Sequence, residues 1–204
     1  ASKWVPVPKE GRFNPPVERE KTAFALAATT GLRLGEIAAL RRCDIDEDRI
    51  HVRHSWSDLD RLKAPKNGNE RSIPILPSIR KSLIALAESN PFSSENAAFI
   101  FWGRYEDRPV DPKLLSRGFN RALAAIGIDE TTRKDRCLTF HSLRHGFAKT
   151  MADSLAIEQA MKATGHLSQA MLLHYSDHET KEDFTAVADA QKSAFSTIVL
   201  MNAS

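Results

Sequence analysis

Apolar residues along this chain recur first at helical spacing, then in extended runs, then at helical spacing again. Phe24, Leu26 and Ala27 predict a helix over residues 17–30. Gly31 is a natural stop for it, since glycine takes the left-handed C-terminal cap without a Cβ penalty. Ile37, Ala38 and Leu40 predict a second helix over 35–41. The texture then changes. Arg49-Ile50-His51-Val52 and Arg71-Ser72-Ile73-Pro74-Ile75 read as strands, and Asn67-Gly68 between them reads as a tight hairpin turn. The expectation is a small three-stranded antiparallel sheet. Pro65 and Pro74 belong at its edges or strand ends, because proline has no N–H for a ladder.

After Pro77 the helical interval returns. Ile79, Leu83, Ile84 and Leu86 predict a helix over 78–88, and Phe99-Ile100-Phe101-Trp102 a buried extended run. Leu114, Leu115, Phe119, Ala122 and Leu123 predict another helix, stopped by Gly127. Leu143, Phe147 and Met151 place a helix over 141–153, with Leu143, Phe147 and Met151 as its anchored face. Ile157, Ala160 and Met161 mark a further one, stopped at Gly165, and Ser168 can cap a short helix ending near Tyr175. Last, Phe184, Val187, Ala188, Gln191, Ala194, Phe195 and Ile198 lie along one side of an amphipathic C-terminal helix. The pattern is α+β, mainly α-helical. It divides into a proline-bearing linker or arm at 1–16, a main domain at 17–180, and a C-terminal helix at 181–204.

Composition narrows the class. With 204 residues, 42% apolar and 27% charged, the chain is proportioned as a soluble globular protein of one large domain or two small ones. It holds no apolar run of membrane-spanning length, and no signal-peptide pattern opens it. Cys43 and Cys137 have no metal-ligand spacing, which fits a reduced, intracellular, cytoplasmic protein. The net charge is +3, unevenly spread. Residues 176–204 set Lys181 and Lys192 against Asp177, Glu179, Glu182, Asp183 and Asp189, a balance of −3 that leaves +6 on the rest. Arg133-Lys134-Asp135-Arg136, leading into Arg144, suits a polyanion and equally suits a solvated loop.

The candidate chemistry is a set of cations and a late tyrosine. His141 and Arg144 sit at i and i+3, hence on one helix face; an ordinary polar face looks the same. Arg33 lies at the break between two helices, where free N–H groups favour anions, and it is also placed to pair with Glu36. Lys66 abuts the Asn67-Gly68 turn, from which it can reach into a site or stay solvated. His166 follows Gly165, where it can act in a site or bond the last carbonyls of a helix. Tyr175 is one of two tyrosines, and reads as a possible oxygen nucleophile or a half-buried core residue. Together these residue types can handle a phosphodiester: arginine forks match phosphate oxygens, while histidine and lysine move protons.

Their joint order is more specific than any member. Thr30-Gly31-Leu32-Arg33-Leu34-Gly35-Glu36, a hairpin lysine, His141-Ser142-Leu143-Arg144, Gly165-His166 and then Tyr175 resemble the boxes of the tyrosine recombinase (phage integrase) family over about residues 17–180. The resemblance implies the catalytic domain of a DNA strand-exchange enzyme working through a 3′-phosphotyrosine, without metal, ATP or other cofactor. It implies that Arg33 and Arg144 clamp the scissile phosphate and that His141 bonds it as acid or base. Lys66, with Lys63 as runner-up, would protonate the leaving 5′-oxygen. His166 would support the transition state, Glu36 would orient the arginine region, and Tyr175 would attack. Double-stranded DNA is the implied partner, with self-association on it from dimer to tetramer. The family's N-terminal DNA-gripping domain is expected in a longer protein. Type IB topoisomerase-like relaxation and a non-catalytic DNA-binding regulator are the alternatives on the same fold.

Overall fold

In the computed structural model, residues 18–65, 70–92, 95, 97–154 and 181–195 are described. Helix α1 (Glu18–Thr30) is the axis of the molecule. It is buried on nearly every side, from Ala23, Leu26 and Ala27 to the polar Glu20, Thr22, Thr29 and Thr30. A helix enclosed this way must satisfy its own polar groups. Thr29 Oγ1 accordingly donates to the Ala25 carbonyl (2.8 Å) and Thr30 Oγ1 to that of Leu26 (2.6 Å). Glu20, fully buried, accepts on both carboxylate oxygens from Arg121 Nη2 (2.8 and 3.0 Å).

Around α1 stand α2 (Leu34–Ala39), α3 (Pro77–Glu88), α4 (Pro112–Ala125) and α6 (His141–Ser154). A short exposed helix, α5 (Glu130–Asp135), precedes α6, and α7 (Lys181–Phe195) closes the described chain. The helices foreseen at 17–30, 35–41, 78–88 and 141–153 are all present, within one or two residues at most ends. So is the one foreseen around Leu114–Leu123. Helix α5 is an addition: it buries no residue, so it leaves no apolar rhythm, and its signal is the Asp129 cap accepting from the Thr132 amide (2.7 Å). The segments predicted around Ile157–Met161 and Ser168–Tyr175 lie outside the described residues.

The strands differ from expectation in an instructive way. They are β1 (Arg49–Val52), β2 (Ser55–Ser57), β3 (Arg61–Lys63) and β4 (Arg71–Pro74). They form two antiparallel pairs, β1 with β4 and β2 with β3. Only Arg53 and His54 separate β1 from β2. In place of a three-stranded sheet there is a single extended run, broken in the middle, with a different partner on each half. Ile50 faces Ile73 across one pair and Trp56 faces Leu62 across the other. The run Phe99-Ile100-Phe101 is buried as predicted, bridged to Arg41 through Phe99.

Candidate functional site

The site is built where α1 stops. Gly31 takes φ +65°, and its amide still bonds the Ala27 carbonyl (3.0 Å). A Cβ there would land on the ring of Phe147, so both backbone angle and space require glycine. The break turns the chain into Arg33, whose amide donates to Glu36 Oε2 (2.9 Å) and whose Nη1 reaches Glu36 Oε1 (3.1 Å). Glu36, on the first turn of α2, is almost fully buried. It is also gripped from β4 by Arg71, with Nη1 to Oε1 at 3.1 Å and Nη2 to Oε2 at 2.8 Å. One carboxylate therefore holds two guanidiniums that are 38 positions apart in sequence. Burial alone would raise the Glu36 carboxyl. The hydrogen bonds and charge of Arg71, with those of Arg33, outweigh it and hold the group below its ordinary range.

The other half comes from α6. Phe24, Phe119 and Phe140 meet edge to face at 5.7 to 6.0 Å, which fixes the chain just before His141. Arg144 is the largest fully buried side chain among the described residues. It donates through Nη1 to the Gly31 carbonyl, the group left open by the end of α1. This corrects the expected display of His141 and Arg144 on one open face. Arg144 shares the inner stripe of Phe147 and Met151, while His141 stays at the rim. The i, i+3 spacing puts the pair on neighbouring faces, but the pull of an open carbonyl draws only the arginine inward. Burial, and then the charges of Arg33 and Arg71 against that of Glu36, lower the Arg144 guanidinium to about 10, so it is still a cation at neutral pH.

His141 stacks edge-on against His145, with ring centroids 4.6 Å apart. Loss of solvent on its inner flank, then the charges of His145, Arg144 and Arg33, push His141 below its ordinary value. Its neutral form is favoured at neutral pH. A cavity of about 210 Å³ lined by Leu32, Leu34, Ser116, Thr139, Phe140 and His141 opens beside it. Arg33, Glu36, His141 and Arg144 thus converge, as the sequence suggested, and Arg71 and His145 join them unforeseen. Lys66, His166 and Tyr175 lie outside the described residues. Lys63, the alternative lysine, is on β3 and pairs with Asp60 at the surface.

The arrangement is a set of fixed cationic donors about one helix break, suited to an anion with several oxygens. Residues 9–182 match the phage integrase family. The chain belongs to that family. It is 29% identical over 163 residues to a tyrosine recombinase XerC of Rhodospirillum centenum, covering 78% of this chain and 42% of that one. It is 27% identical over 164 residues to the integrase of Escherichia phage HK022, covering 79% and 42%. The chain therefore spans under half the length of these relatives. In fold it is similar to the Tn1549 transposon integrase solved in complex with transposon right end DNA, with TM-score 0.60 and 21% identity over 87% of this chain and 59% of that one.

Proposed function

We propose that this chain carries the catalytic domain of a site-specific DNA recombinase, an integrase of a phage or other mobile element. Its partner on this reading is double-stranded DNA, met in the cytoplasm at the nucleoid. The observation that supports it best is the convergence of Arg33, Arg144 and His141 at the Gly31 break, braced by a buried Glu36. Arg33 and Arg144 neutralise the non-bridging oxygens of the scissile phosphate, whose charge grows in the transition state. Glu36 and Arg71 fix the Arg33 side of that clamp. The Tyr175 oxygen forms a bond to phosphorus as the bond to the 5′-oxygen breaks, and Lys66 supplies the proton that leaves a free 5′-hydroxyl. Neutral His141 hydrogen-bonds the phosphate and accepts or returns a proton, with His166 supporting the same charge. Rejoining reverses these steps, so the bond energy is kept as a 3′-phosphotyrosine.

A nicked suicide duplex tests this directly. The protein should accumulate a covalent DNA adduct, and Tyr175→Phe should abolish it while leaving DNA affinity within a few-fold. An adduct formed by the phenylalanine variant would overturn the assignment. Lys66→Ala should slow cleavage by about 10²–10⁴-fold. A substrate with a 5′-bridging sulfur, whose leaving group needs no proton, should restore most of that loss; equal damage on both substrates would move the role to Lys63. On two-site DNA the protein is proposed to assemble from dimers to tetramers, with α7 exchanged between protomers. Sedimentation showing only monomers on saturated two-site DNA would sink that part.

A further inference from the structure

The first turn of α1 lies about 18 Å from Gly31, by the rise of 1.5 Å per residue from Arg19. There a second cationic feature opens, a cleft of about 620 Å³ between the β2–β3 hairpin, the loop before α4 and the outer face of α4. Arg19 and Arg121 form its floor and are tied inward, to the Trp102 carbonyl and to Glu20. Its walls carry Arg61, Arg104, Arg108 and Arg117, all exposed. Two of these are held in place by rings: Arg61 lies 5.7 Å from the Trp56 ring centroid and Arg108 lies 5.3 Å from that of Tyr105. The two carboxylates lining the cleft are engaged, Asp58 with Lys113 (3.2 Å) and Asp111 with the Lys113 amide as the cap of α4 (2.8 Å). Arg108 also has Asp107 at 3.7 Å.

Arg61 is the telling residue. It follows the three-residue loop Asp58-Leu59-Asp60 and sits at φ +59°, a left-handed position that such hairpins usually give to glycine. A bulky side chain there is strained, and strain of this kind gathers at functional positions. Helix α4 serves both places from different faces. Ser116 of α4 lines the cavity beside His141, and Arg117, next in the helix, lines the cleft.

We infer that this cleft is a second phosphate-binding site, gripping the backbone of the same DNA duplex away from the phosphate to be cut; the inference rests on the recombinase reading. Forked guanidiniums match phosphate oxygens, and side chains already ordered on aromatic rings lose less freedom on engagement. A backbone grip carries no base readout, so the cleft sets register and orientation.

The test is the salt dependence of duplex binding. For every phosphate that a substitution leaves unneutralised, the slope of log K against log salt should fall by about 0.9. Arg104→Ala with Arg117→Ala should reduce it by about 1.8, with an unchanged melting temperature. Arg61→Gly relieves the strained angle, so the variant should melt no lower than the parent while its slope falls by about 0.9. Slopes equal to the parent's in both variants would overturn the inference while leaving the suicide-substrate result standing. So would a cleft that captures inorganic phosphate or a mononucleotide in the parent, with DNA slopes indifferent to the substitutions. If the parent failed to bind any duplex, the recombinase reading itself would fall.

Discussion

The two ends of α1 hold arginines in opposite ways. At its C-terminal end Arg71 and Arg144 are buried or nearly so, Arg33 is about a quarter exposed, and each is locked to a carboxylate or a carbonyl. At its N-terminal end Arg61, Arg104, Arg108 and Arg117 face solvent, two of them resting on rings. The first arrangement has spent its freedom in folding, and its geometry is ready before any ligand arrives. The second keeps its charges in water, where salt screens them within about 10 Å. On the proposed function the first is built to hold a phosphate for chemistry, and the second, on the inference above, to hold one for position.

The sharpest way to break the comparison is to remove the brace. Glu36→Gln leaves Arg33 and Arg71 facing each other with no anion between them, and should cost about 3–5 kcal/mol in urea unfolding. A loss below about 1 kcal/mol would mean the buried clamp is no more built than the open cleft. The sign with pH follows. Glu36 titrates below its ordinary value of 4.5 in the fold, so its contribution is fully present above that pH and drains away as pH falls through the depressed value. The gap between parent and variant should therefore stay level from about pH 8 to 5 and close below 4.5.

Next comes shape against charge. Arg144→Lys keeps the cation and loses the fork, and single-turnover cleavage should fall by about 10²–10³-fold. The same exchange in the cleft, Arg117→Lys, should leave duplex affinity within a few-fold, since a point charge serves an exposed backbone grip nearly as well. Equal penalties at both places would erase the distinction. Smaller again is the effect of Gln191→Ala. The Gln191 amide donates to the Thr29 carbonyl (2.8 Å) and the Pro74 carbonyl (3.0 Å), both buried, so its loss should cost about 1–3 kcal/mol in the same unfolding assay.

What the sequence reveals, and what it hides, divides along similar lines. Helices that bury a regular apolar stripe, such as α3 and α4, are legible because burial writes their period. The β2–β3 hairpin is not: Trp56 is its one buried residue, and three-residue strands are too short to show alternation. Arg33, Glu36, His141 and Arg144 are proposed from motif order, and the structure brings these four together. Arg71 escapes notice because its partner is 35 residues away and a charge at a strand start is usually solvated. In α7, helical spacing correctly marks Val187 and Phe195 but also Ala194, which is exposed. Gln191, foreseen merely as part of the stripe, is the plug of the interface, because two open carbonyls meet it there.

Those closures have a consequence for how the molecule comes into being. Arg144 reaches back 113 positions to Gly31, and Gln191 reaches back 162 to Thr29. Pairings so distant along the chain close late, after local helices have formed, because the entropy of the long loops must be met first. During synthesis α1 and α2 emerge with the Thr29 and Gly31 carbonyls open, long before Arg144 and Gln191 exist to meet them. A half-made chain is thus an unarmed one. An enzyme proposed to break chromosomes becomes able to do so only when nearly all of this domain has left the ribosome and folded.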